Sequence, residues 1–130
     1  MTKKRIIVID YREINPEVHK SSVLPSLRDW LSDEPNPNEG DVARYLETAP
    51  AYSGVGKTVG DVLDPNAKVV LFPGTRTDGA YLWPSELPYY VRKYHLKLPP
   101  DFLERIASLN WRPPAKTAIN WENMDEGLAT

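Results

Sequence analysis

At 130 residues and 14.8 kDa, the chain has the size of one compact domain, which argues against a two-lobed enzyme with an interdomain cleft. Sixteen Lys and Arg against eighteen Asp and Glu give a net charge of −2, the wrong balance for a general nucleic-acid binder that must neutralise many phosphates. Cysteine is absent, which removes disulfides, thiolate zinc sites and cysteine nucleophiles.

The basic start Lys3-Lys4-Arg5 is followed by an apolar run, Ile6 to Ile9, too short for a signal peptide, and no stretch is long enough to span a membrane. A cytoplasmic protein is expected. Arg5 to Ile9 predicts a buried strand closed by the polar stretch Asp10 to Pro16. A first helix is predicted from Ser22, with Pro25 in its first turn and Val23, Leu24, Leu27, Trp30 and Leu31 on one face. Asp33 to Gly40 is a loop, and Asp41 caps a second helix striped by Val42, Tyr45, Leu46 and Ala49 and stopped by Pro50.

Gly54, Gly56 and Gly60 break the region from Ala51 to Pro65 into a short strand and a turn, and Lys68 to Phe72 predicts another strand. Asp78-Gly79 between Thr75 to Thr77 and Ala80 to Trp83 predicts a hairpin with a type I′ turn, in which both central residues take positive φ. Pro84 opens a third helix with Leu87, Tyr90, Val91 and Tyr94 at helical spacing, and Pro99-Pro100 opens a fourth with Phe102, Leu103, Ile106 and Leu109. Residues 1–112 are expected to form a single globular domain, with 113–130 an extended or partly disordered tail. This order predicts an α+β fold, a small, mostly antiparallel sheet with about four helices packed mainly on one face.

Motifs that carry chemistry are sparse. Gly54-Val55-Gly56-Lys57-Thr58 ends like a phosphate loop, but the required earlier glycine is replaced by Ala51 and Pro50 stands where a buried strand must lead in. His19 and His95 are far apart in the chain, with no metal-ligand spacing, and His95 at a helix end suits a capping role. The acidic pairs Asp33-Glu34 and Asp125-Glu126, and Glu122, lie in polar loop-like segments without the enclosure that raises a catalytic carboxyl. Arg92, Lys93 and Lys97 beside Tyr89, Tyr90 and Tyr94 mix base and aromatic residues, yet read as the outer face of an amphipathic helix. No catalytic set, metal, cofactor or direct nucleic-acid contact is expected.

Charge placement says more than the total. Residues 1–65 carry eleven acids and eight bases, net −3, and residues 66–130 carry seven acids and eight bases, net +1. Asp29, Asp33, Glu34, Glu39 and Asp41 follow one another with no Lys or Arg between them, an acidic ridge that reads equally as a solubilising face or as a docking face for a basic partner, with Trp30, Tyr45 and Tyr52 as aromatic anchors.

Three stretches look familiar: Asp61-Val62-Leu63-Asp64-Pro65, Thr77-Asp78-Gly79-Ala80-Tyr81-Leu82-Trp83-Pro84, and Leu87-Pro88-Tyr89-Tyr90-Val91 with Tyr94, Leu98-Pro99 and Phe102-Leu103. Together they resemble a group of small bacterial proteins with a Thr-Asp-Gly hairpin and a Tyr-Tyr helix. Members of such groups are often immunity proteins for polymorphic toxins, including those of contact-dependent growth inhibition. The likeness spans residues 60 to 110, about 40% of the chain, and carries no catalytic residue across. It implies a protein that binds a cognate toxin domain, a nuclease, and occludes its active site or substrate groove. The alternatives are a small enzyme using His95, Asp78 and Tyr81 beside the hairpin, and a structural or regulatory module that forms a homodimer through a strand edge.

Overall fold

The computed structural model describes residues 6–14, 24–54 and 56–121. Its strands are β1 (Ile7–Val8), β2 (Ala51–Ser53), β3 (Thr75–Thr77) and β4 (Tyr81–Pro84), and its α-helices are α1 (Glu39–Thr48), α2 (Leu87–Tyr94) and α3 (Pro100–Ser108). The strands form one mixed four-stranded sheet in the order β1-β4-β3-β2. β1 runs parallel to β4 with Ile7 opposite Tyr81, whereas β3 is antiparallel to both β4 and β2. The α+β class is as expected; the helix count is three among the described residues, not four.

The missing helix is the one predicted from Ser22. Its described part is a single 3-10 turn, Leu27–Trp30, begun by the Ser26 hydroxyl accepting the Arg28 amide. Tertiary backbone bonds end it: the Trp30 carbonyl accepts the Lys97 amide at 2.7 Å, and the Ser32 amide donates to the Tyr94 carbonyl at 3.3 Å. Those groups are then not available to continue a helix. Helix α1 begins at Glu39, before the predicted cap Asp41, because Glu39 Oε2 accepts both the backbone and side-chain amides of Asn36 and closes the first turn. Asp41 pairs instead with Arg44.

The predicted strand 68–72 contributes one isolated bridge, Leu71 with Val59, and stays outside the sheet. Pro73 lacks an amide and Gly74 turns the chain at φ 137°, so β3 begins afresh at Thr75. Gly74 tolerates no side chain, since a Cβ there would lie 2.5 Å from the Ser53 carbonyl oxygen. Pro84 closes β4 rather than opening α2, which starts at Leu87 with Pro88 in its first turn.

The hairpin between β3 and β4 forms, but not through a type I′ turn. Gly79 alone takes positive φ, 94°, and the Asp78 side chain organises the loop by accepting the amides of Ala80 and Tyr81. β4 then alternates. Tyr81 and Trp83 face the helices, whose buried residues Val42, Tyr45, Leu46, Leu87, Tyr90, Val91, Phe102 and Ile106 join them in one cluster, while Leu82 faces the other way. Trp83 sits at the centre, 6.0 Å from the Tyr45 ring and 5.3 Å from Phe102, with its indole N–H donated to the Leu46 carbonyl. On the opposite face Ile119 packs on Ile6 and Leu82, and Trp121 stacks on Tyr52, so residues 116–121, placed by sequence in a tail, return to the sheet.

Candidate functional site

Buried or half-buried carboxylates organise three polar networks. The Asp78 side chain is fully buried; Oδ2 accepts the Tyr45 hydroxyl and, at 2.9 Å, Nε of Arg105 from α3. Burial, reinforced by the bond to Asp78, pushes the Tyr45 phenol far above its ordinary value, so it remains a donor. The hub therefore ties α1, the hairpin and α3 together.

Asp61 anchors the loop after β2 onto α2. Its Oδ2 accepts the hydroxyls of Tyr89 at 2.9 Å and Tyr94 at 2.5 Å and the Lys93 ammonium at 3.3 Å, while Oδ1 accepts the Leu63 and Asp64 amides. Burial pushes this carboxyl up, but the bonds from Tyr94, the Leu63 amide, Tyr89 and Lys93 outweigh it and hold it below the ordinary aspartate value. Burial and the Asp61 bond raise the Tyr94 phenol to about 12.

The third network joins the start of α1 to the end of α2. His95 caps α2 at φ 53°, with Nδ1 2.8 Å from Glu39 Oε1, and the Asn36 side chain donates to Glu39 and to the Leu96 carbonyl. Burial raises the Glu39 carboxyl, but the Asn36 amide, His95 and the Asn36 side chain prevail and lower it. His95 ends α2 as expected, but its backbone amide does the capping, on the Tyr90 carbonyl, and its imidazole meets the Glu39 carboxylate of α1 instead.

Of the residues of the enzyme alternative, Asp78 and Tyr81 stay adjacent, the Tyr81 amide donating to Asp78 Oδ1 at 2.8 Å, while His95 belongs to a different network. Asp78 is bonded to Tyr45 and His95 to Glu39, six residues earlier on α1, about 9 Å of helix. Tyr81 is buried with its ring stacked on Phe102 at 4.5 Å.

The acidic ridge divides in two. Asp29, Asp33 and Glu34 are exposed and have no ion-pair partner among the described residues. Glu39 and Asp41 are half-buried and engaged with His95 and Arg44. Trp30 lies half-buried at the ridge and lines a cleft of about 330 Å³ with Tyr11, Pro25 and Tyr81, while Asp33 lines a separate open cleft of about 400 Å³ with Lys93, Tyr94 and His95. Tyr45, expected as an anchor, belongs to the core with no exposed surface, because its ring fills the space beside Trp83. Tyr52 lies on β2 against Trp121, under the sheet's other face.

The basic and aromatic patch is largely neutralised. Arg92 forms a two-point pair with Glu47, Lys93 meets Asp61, and Lys97 donates to the Glu34 carbonyl. Lys57 and Thr58 lie exposed after β2 with no strand leading into a helix, the setting a phosphate loop needs. His19, Glu122, Asp125 and Glu126 lie outside the described residues. Among the described residues no group of three or more His, Asp or Glu could hold a metal ion, and no helix is long and apolar enough to cross a membrane.

Sequence reasoning missed the Asp61 and Asp78 hubs because their partners come from 27 to 33 residues away and follow no local spacing. Comparison of the chain with protein-family models, with curated proteins and with solved structures returns no match.

Proposed function

We propose that the protein is an immunity protein that binds a cognate bacterial toxin domain in the cytoplasm, a basic nuclease, and blocks its active site or substrate groove by occlusion. The observation that carries this reading is the division between committed and uncommitted acid. Asp61, Asp78 and Glu39 accept bonds that hold the fold, whereas Asp29, Asp33 and Glu34, within six residues, stand exposed with no ion-pair partner among the described residues. Such a field attracts a basic partner and sets its approach, and the half-buried Trp30 beside it supplies an apolar contact. Occlusion needs no turnover, in keeping with buried polar groups that brace helices and loops. The resemblance of the motifs in residues 60 to 110 to a group of small bacterial proteins that are often immunity proteins points the same way.

The test is co-expression with the toxin domain encoded beside its gene. A complex should co-purify, and Asp33→Lys combined with Glu34→Lys should slow association about tenfold and flatten its salt dependence while circular dichroism stays unchanged. Absence of any complex overturns the toxin assignment. A complex whose association rate is the same in the double variant removes the ridge from the interface.

A further inference from the structure

The segment 68–72 presents an unpaired strand edge, and we propose that it pairs with the same edge of a second copy of the chain to form a two-fold dimer. Leu71 exchanges both backbone bonds with Val59, at 2.7 and 2.9 Å. In an antiparallel bridge this turns the amides and carbonyls of residues 70 and 72 to the opposite side. Nothing among the described residues bonds the backbone of Val70 or Phe72. Their side chains are 65% and 70% exposed, the largest exposures among the big hydrophobic residues described. A buried strand requires neither feature, and an exposed edge bearing both invites pairing.

The register selects the occupant. Positions 68, 70 and 72 face outward, so an axis through Val70 sets Val70 against its counterpart and Lys68 against Phe72 of the other copy. Every outward amide then meets an outward carbonyl. A shift of one residue opposes outward to inward groups, and a shift of two leaves Lys68 or Phe72 without a mate. The charges agree. Each Lys68 lies beside a Phe72 ring, its stem covering apolar surface and its ammonium over the ring face, and the two lysines sit at opposite ends of the ribbon. The face bearing Val70 and Phe72 borders an open groove of about 490 Å³ that Pro88, Tyr89 and Arg92 also line, room for the incoming side chains. A five-residue pairing buries less than about 1,200 Å² in total, so the dimer is weak and concentration-dependent.

The absence of cysteine provides a clean test, because Val70→Cys introduces a single thiol. Directly opposed, hydrogen-bonded residues have Cα atoms about 5.5 Å apart, within disulfide range. Sedimentation of the unmodified protein from about 10 μM to about 1 mM should reveal a reversible dimer, weakened at least about tenfold by Val70→Lys, which places like charges on the axis. Under oxidation Val70→Cys should cross-link at least about tenfold faster than Val62→Cys, a second exposed position away from the edge. A protein that stays monomeric throughout overturns the proposal, as does a dimer insensitive to Val70→Lys or equal cross-linking rates. If Val70→Lys fails to fold, Phe72→Ala, which trims an exposed ring, replaces it and should also weaken the dimer. No toxin enters these measurements, so their outcome is separate from that of the toxin assignment.

Discussion

Asp78 and Asp33 carry the same side chain into opposite settings. Asp78 is fully buried, with the Tyr45 hydroxyl, the Arg105 guanidinium and two backbone amides around it. Asp33 is exposed beside Glu34 and has no ion-pair partner among the described residues. The first joins elements distant in sequence; the second leaves its field in solvent, where a partner can meet it. An acid count therefore says little about surface potential until the acids that serve the fold are set aside.

The sharpest way to break this contrast is Asp78→Ala. It leaves Arg105, the Tyr45 hydroxyl and two amides without their acceptor, and should cost about 3–5 kcal/mol in urea denaturation. A loss below about 1 kcal/mol would erase the distinction. Asp61→Asn should cost about 1–3 kcal/mol at neutral pH, because the amide replaces one acceptor oxygen with a donor facing the tyrosine hydroxyls and Lys93. The Asp61 carboxyl is lowered in the folded protein, so its stabilisation is present above the unfolded value and is lost as pH falls through the folded one. The gap between wild type and variant should accordingly begin to narrow below about pH 4 and shrink further as pH falls.

Glu86 provides the opposite sign. Burial first, and the nearby Asp10 carboxylate, raise it above the ordinary glutamate value despite a bond from its own amide. A raised carboxyl contributes stability below its unfolded value and loses it as pH rises through the folded one. Glu86→Gln should therefore raise Tm by a few degrees at pH 7 and give no gain at pH 4, followed by calorimetry at both values. The smallest effect belongs to the ridge: Asp33→Lys with Glu34→Lys should change stability by no more than about 0.5 kcal/mol. A larger loss would mean that these acids also serve the fold.

Legibility in the sequence followed the range of the forces involved. The stripes of α2 and α3 and the hairpin at Asp78-Gly79 were readable, because apolar periodicity and a Gly at positive φ are local requirements. The 3-10 turn at Leu27–Trp30 was not, since it is cut short by bonds to Tyr94 and Lys97 far along the chain. Segment 68–72 has strand composition and misses the sheet because Pro73 and Gly74 redirect the backbone before β3. Within the ridge, a contiguous run of acids announced itself, but Tyr45 pointing inward and His95 meeting Glu39 depended on how α1 docks on α2.

The parallel pair at the sheet edge has a consequence for the order of assembly. Ile7 finds its partner at Tyr81, 74 positions later, so the first strand cannot be sealed until the hairpin exists. At translation speeds of about 5–20 residues per second, the interval between synthesis of the two strands is about 4–15 s. Throughout that time Ile6 to Ile9 remain an apolar, β-prone stretch without the strand they pair with, and β4 must be in place before they can close the sheet. Closure of the sheet at Ile7 is thus a late, non-local step, and substitutions in β1 should speed unfolding more than they slow folding.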